Sequence, residues 1–172
     1  FSLYEDLTVK ENIRFYAGIY GMSRSAIKEK MTALLEQLQL TGEENSLVRS
    51  LPLGWKQKLA FSVAILHEPR IVFLDEPTGG VDPVTRREFW NLIYQAAAKG
   101  ITVFVTTHYM DEAEILCDRV AIMDEGRIIS LDSPANMIDK LLSGGFERVR
   151  EVKGASLEDV FIQLTGHAMR DE

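Results

Sequence analysis

Ile71-Val72-Phe73-Leu74-Asp75-Glu76-Pro77 decides how this chain is read. Four apolar residues run without interruption, then the character flips to two carboxylates and a proline. A short continuous apolar run predicts a strand buried in a parallel sheet, because a half-exposed strand would alternate. Asp75 then falls at the carboxyl end of that strand, with Glu76 next to it. Pro77 takes the chain out of the sheet at once. In open α/β sheets that edge is where ligands bind. A carboxylate there can hold a hydrated Mg²⁺, which prefers oxygen ligands and keeps several waters. A second acid can orient or deprotonate an attacking water. The plain alternative is a solvated acidic loop after a strand, and the acid pair alone favours it.

Downstream, Gly79-Gly80-Val81-Asp82 forms a tight loop in which the glycines permit positive φ. Asp82-Pro83 has the form of an N-cap followed by proline at the first helical position. The spacing predicts a helix to about Ala98, closed at Gly100. Ile101 to Val105 is then a second buried strand. Strand, helix, strand at this spacing is a βαβ crossover, so the two strands are expected to be parallel neighbours. His108 follows Thr106-Thr107 at the end of the second strand. Parallel neighbours would bring Asp75, Glu76 and His108 to one edge, where an imidazole can donate to a phosphate oxygen and position a water. That shared edge favours function over a locally packed helix-start histidine. His67 is explained by a helix end, and His167 receives no role. Beyond, a short helix over Asp111–Cys117 and a hairpin, Val120–Met123 with Arg127–Ile129 across Asp124-Glu125-Gly126, are expected. Ser133-Pro134 starts another helix by the same cap logic. Ser156 with Asp159 caps a last apolar helix, and residues 143–155 are left unassigned.

Upstream the rhythm is helical. Thr8 with Glu11 is a capping box, and Val9, Ile13, Tyr16 and Ala17 follow at helical spacing. Ile27, Met31, Leu34, Leu35 and Leu38 mark a second, amphipathic helix that Thr41-Gly42 breaks. A third is expected from about Trp55 to His67, ended by Pro69. Leu51-Pro52-Leu53-Gly54-Trp55-Lys56-Gln57 leads a loop into that helix, whose N-terminus is a ready anion site. The plain alternative is an ordinary helix start with Pro52 stiffening the loop and Trp55 in the core.

Composition bounds these readings. In 172 residues, 19 Lys and Arg against 26 Asp and Glu give a net charge of −7, with 46% hydrophobic and 26% charged residues. That is a globular balance and about one domain or a large part of one. An acidic chain without a basic face is not a general nucleic-acid binder. The lone Cys117 excludes an internal disulfide framework and fits a reducing compartment. No apolar run approaches the ~18 residues of a membrane span, and no signal-peptide pattern is present. Because Phe1 rather than Met begins the chain, a fragment is expected.

Taken in order, these pieces resemble the ATP-binding subunit of ABC transporters across nearly the whole chain. Ile71 to Pro77 is similar to a Walker B strand with its catalytic glutamate, Gly79 to Asp82 to a D-loop, and Thr106-Thr107-His108 to a switch-histidine motif. Leu51 to Gln57 occupies the place of the signature motif, and Phe1 to Val9 resembles the segment just after the Q-loop glutamine. The tail, Asp132-Ser133-Pro134 with Ser156 to Phe161, is similar to the exporter branch. Four motifs in order and correctly spaced are a specific signal.

The resemblance implies an α/β, P-loop NTPase-like fold with a mostly parallel sheet and a helical subdomain in the N-terminal half. Residues 1–66 would be that subdomain with the signature loop, 67–142 half of the ATPase core, and 143–172 a C-terminal extension. Asp75 would serve the magnesium, usually through water, Glu76 the water, and His108 the γ-phosphate of ATP. Asp82 would act across a dimer of nucleotide-binding domains. Pro52, Gly54, Trp55, Lys56 and Gln57 would face a nucleotide held by the other subunit. The partner would be an integral membrane transporter subunit, with no nucleic acid involved, and the place the inner face of the cell membrane on the cytoplasmic side.

Departures from the pattern are specific. No Gly-x-x-x-x-Gly-Lys-[Ser/Thr] occurs, and no glycine is followed by lysine anywhere. The Q-loop glutamine is absent too. These gaps predict a chain truncated before the end of the Q-loop, inactive by itself. Pro52 stands where the family has serine, Leu53 for a glycine and Trp55 for glutamine. The competing readings are a non-hydrolysing docking or self-associating module and an ABC-type ATPase working on DNA or ribosomes.

Overall fold

A computed structural model describes residues 2–146, 155 and 157–165. By their internal contacts the residues fall into two compact units, 1–106 and 107–172. This division is by packing and differs in kind from the three-part division by motif.

The first unit begins with α1 (Val9–Ile19). Its capping box forms as expected, with the Thr8 hydroxyl accepting from the Glu11 amide while the Glu11 carboxylate accepts the Thr8 amide at 2.8 Å. Val9, Ile13 and Ala17 line one face and are fully buried. Asn12 is buried beside them because its amide answers the backbone of Tyr4 and Thr8. Helix α2 (Arg24–Gln37) puts Leu34 and Leu35 into the core. Helix α3 (Leu53–Ala64) follows a single 3-10 turn at Val48–Ser50. It starts two residues before the expected Trp55, because Pro52 serves as N-cap and its carbonyl accepts from the amides of Trp55 and Lys56. It ends before the expected His67. Glu68, just ahead of Pro69, is turned to φ +57, in keeping with the steric bar on helical backbone before proline. Lys30 from α2 takes the Leu66 carbonyl at 2.9 Å, and the His67 ring stacks on Tyr20 at 3.7 Å.

Strand β1 (Ile71–Asp75), helix α4 (Pro83–Ala98) and strand β2 (Thr102–Thr106) form the expected crossover. The strands pair in parallel, Phe73 opposite Phe104 and Asp75 opposite Thr106. Asp82 caps α4, and Gly100 closes it at φ +86. Helices α3 and α4 pack with the Phe61 and Phe89 rings 5.3 Å apart. The expectation of strands buried on both faces is corrected. Val72 is buried, and Leu74, Val103 and Val105 are half-buried. The opposite face is open, with Phe73 74% and Phe104 56% exposed. An apolar run records that a strand prefers cover on both sides, and this sheet has cover on one.

In the second unit, α5 (Met110–Leu116) precedes the hairpin of β3 (Val120–Asp124) and β4 (Arg127–Asp132), which pair antiparallel with a bulge at Ile122/Met123. Helices α6 (Pro134–Ser143) and α7 (Leu157–Thr165) follow. Ala113, Ile122, Met137, Leu157 and Val160 make its core. The Ser133 hydroxyl caps α6 as expected. The Ser156 cap, His167 and most of the unassigned stretch lie outside the described residues. Among the described residues the sheets are thus one parallel and one antiparallel pair. Among the described residues no helix is long and apolar enough to cross a membrane.

Candidate functional site

The parallel register fixes the site. Side chains alternate along a strand, so residues 71, 73 and 75 share one face with 102, 104 and 106. Asp75 therefore ends the open face, and its Oδ1 accepts a hydrogen bond from the Thr106 hydroxyl across the pair. Glu76 follows immediately, its amide donating to the Thr106 carbonyl at 2.9 Å. Both carboxylates are exposed at the carboxyl end of the sheet.

Glu76 opens a four-residue turn closed by the Gly79 amide on the Glu76 carbonyl at 3.1 Å. Pro77 fits the second position of such a turn, where its fixed φ is already suitable. Glu76 itself stands at φ +43, a left-handed conformation uncommon outside glycine. Strain of that kind gathers at sites where a side chain must be aimed, at about 1–3 kcal/mol each.

The loop after the turn is tied to the start of α3. Gln57 donates through Nε2 to the Gly79 carbonyl at 3.0 Å. Gly54 lies directly against Thr85, so that a Cβ at Gly54 would sit 2.2 Å from Thr85 Cγ2. The Asp82 carboxylate accepts from the Val84 and Thr85 amides at 3.0 and 3.1 Å and from the Thr85 hydroxyl at 2.5 Å. The Thr85 hydroxyl, then its amide, hold the Asp82 carboxyl below the usual carboxylate range. Lys56 pairs with Glu5 at 2.8 Å, and Trp55 is half-buried while Pro52 is exposed. His108, in the second unit, is exposed, and its ring lies 4.1 Å from that of Tyr109.

The structure thus brings Asp75 and Glu76 to one edge and ties the Gln57 and Gly54 region to the loop ending at Asp82. Sequence reasoning missed Thr106 as the partner of Asp75, although strand parity alone would have put the two side by side. It also missed Thr85 and the turn that strains Glu76, for which the sequence carries no signal beyond Pro77. A hydrated Mg²⁺ asks for few protein ligands, commonly one or two carboxylates. Asp75 meets that demand, and among the described residues no cluster of three or more acidic, histidine or cysteine side chains forms an all-protein cage.

The architecture is that of a P-loop NTPase of the ABC type. A solved structure, the ATP-binding subunit of an ABC transporter, superposes with a TM-score of 0.76 and 29% identity over 94% of this chain and 64% of its own. Residues 6–110 match the family model described as "AAA domain, putative AbiEii toxin, Type IV TA system". The probable multidrug ABC transporter ATP-binding protein YbhF of Escherichia coli (strain K12) is 45% identical over 95% of this chain, which spans 27% of that relative. The Nod factor export ATP-binding protein I of Burkholderia orbicola (strain AU 1054) is 30% identical over 96% of this chain and 70% of its own length. The chain belongs to the family of ABC transporter ATP-binding proteins.

Proposed function

We propose that these residues are part of an ATP-binding subunit that binds and hydrolyses Mg-ATP to power export through an integral membrane partner. The observation that carries the reading is the register Asp75 opposite Thr106, which sets the acid pair at the carboxyl edge of a parallel sheet. Asp75 would hold the magnesium through water, kept in place by the Thr106 hydroxyl. When bound, the ion offsets charge on the phosphates. Glu76 orients or deprotonates the attacking water, and His108 donates to the terminal phosphate. Asp82 acts at a dimer interface, and the turn at Pro52, Gly54, Trp55 and Lys56 faces the partner's nucleotide, while the Gln57 side chain turns back to the Gly79 carbonyl. Proline offers neither hydroxyl nor amide there, so the site that this loop faces is the weaker one of the two when the second subunit carries a complete signature loop.

In this scheme residues 1–66 form the helical subdomain that meets the membrane partner at the cytoplasmic face. The exposed Tyr4 and Phe15, their rings 5.0 Å apart, support that surface. Residues 67–142 serve as half of the ATPase core and 143–172 as an extension. No phosphate-loop motif occurs in the 172 residues, so tight ATP binding and turnover are assigned to the protein only with such a loop present. The names of relatives that speak of export or multidrug transport support efflux as the direction.

The test is Glu76→Gln in the full-length protein, with ATPase and ATP binding measured together. Turnover should fall by about 10²-fold or more, the scale of a lost general base, while ATP still binds. Unchanged turnover would remove Glu76 from the mechanism. One observation favours a second reading, a self-associating module: the open apolar face at Ile71, Phe73 and Phe104.

A further inference from the structure

Gln57 leaves α3 to donate to the Gly79 carbonyl at 3.0 Å, while its other amide atom, Oε1, is buried and meets no donor among the described residues. A buried carboxamide with one end answered and the other unanswered gains one hydrogen bond and bears the cost of an unpaired acceptor, so its net contribution to stability is small. What distinguishes a glutamine here is therefore where its single bond lands. That bond lands on the turn of Glu76. Gly79 donates to the Glu76 carbonyl at 3.1 Å, and Glu76 donates to the Thr106 carbonyl at 2.9 Å. Glu76 sits at φ +43, which it keeps only where its surroundings hold it there. It is anchored upstream by β2 and downstream by a turn whose last residue is gripped from α3. Beyond the loop, the first turns of α4 meet the same helix through Thr85 on Gly54 and through Glu88, which accepts from Lys58 at 2.7 Å.

We propose that Gln57 is a positioning residue for Glu76: by holding the Gly79 carbonyl it fixes the turn that presents the carboxylate and makes that carboxylate follow any movement at the start of α3. The inference rests on the reading of Glu76 as the acid that serves the water.

Gln57→Met keeps length and volume and removes the amide. In the full-length protein, hydrogen exchange at the amides of residues 78–81 should quicken about tenfold, as expected when a local opening becomes easier. The kcat for ATP should drop about tenfold, the scale of a small misplacement at a reacting centre, with KM unchanged and Tm nearly unchanged, since the lost bond is offset by removal of the unpaired Oε1. Gln57→Ala, which also empties volume, should lose the same kcat and melt lower. Unchanged exchange at 78–81, or a kcat that falls only in step with Tm, overturns the proposal. If the wild type shows no ATPase, or Glu76→Gln leaves it untouched, the reading of Glu76 fails instead, and the exchange result still decides whether Gln57 holds the turn.

Discussion

Thr85 does two jobs with one short side chain. Its hydroxyl binds the Asp82 carboxylate, and its methyl fills the space that Gly54 leaves by having no Cβ. A methyl added at Gly54 would meet Thr85 Cγ2 at 2.2 Å, and rotating Thr85 away would break its bond to Asp82. Gly54→Ala should therefore cost about 1–3 kcal/mol, the usual range for overpacking. Adding Thr85→Ser drops the methyl and keeps the hydroxyl, so the double variant should recover part of the loss. Denaturant midpoints of the single and double variants decide it, and equal midpoints would mean the contact is softer than the geometry says. At this scale the sequence spoke unevenly. Asp82 was readable as a cap because Asp-Pro has a local meaning. The tie from Gln57 to Gly79 joins residues far apart in the chain, which no local pattern announces.

Elements were legible where their signals are local. The Thr8 and Glu11 box, the Asp82-Pro83 and Ser133-Pro134 starts and the Gly100 stop all lie in neighbouring residues and all formed. Helix α3 ends at Ala64, short of the expected His67. Lys30 from α2 binds the Leu66 carbonyl in the segment beyond it, a contact between residues far apart in the chain that no local pattern announces. The start of α6 adds a device of its own. Asp132 accepts from the Ser133 amide at 2.8 Å, the Asn136 amide at 2.9 Å and the Lys140 ammonium at 2.6 Å. Lys140 foremost, then Asn136 and the Ser133 amide, hold its carboxyl well below the usual carboxylate range. A group with a depressed pKa contributes stability that is present above its unfolded value and lost as pH falls toward its folded one. Asp132→Asn should therefore melt lower than wild type at neutral pH, and the gap should narrow as pH drops below about 4. Thermal melts across that range test it, and a gap that ignores pH would sink the assignment.

On the scale of the whole molecule, the fold class was legible because strand, helix and strand are strung with turn residues between them. Cover was not, since a run such as Ile71 to Leu74 reads the same whether one face or two is packed. The structure leaves Ile71, Phe73 and Phe104 open in the first unit and Met123, Ile128 and Leu131 open in the second. Contiguous apolar surface of this kind promotes association. The 172-residue chain should form oligomers at micromolar concentration, and Phe73→Ser with Phe104→Ser should shift it toward monomer in sedimentation velocity. A monomer in both cases would remove the self-associating reading. The same open face carries a consequence for ionic strength. Copies bearing −7 each repel one another, and added salt screens that repulsion while leaving the greasy contact intact. Oligomers should thus grow as sodium chloride is raised, the reverse of an assembly stitched by ion pairs.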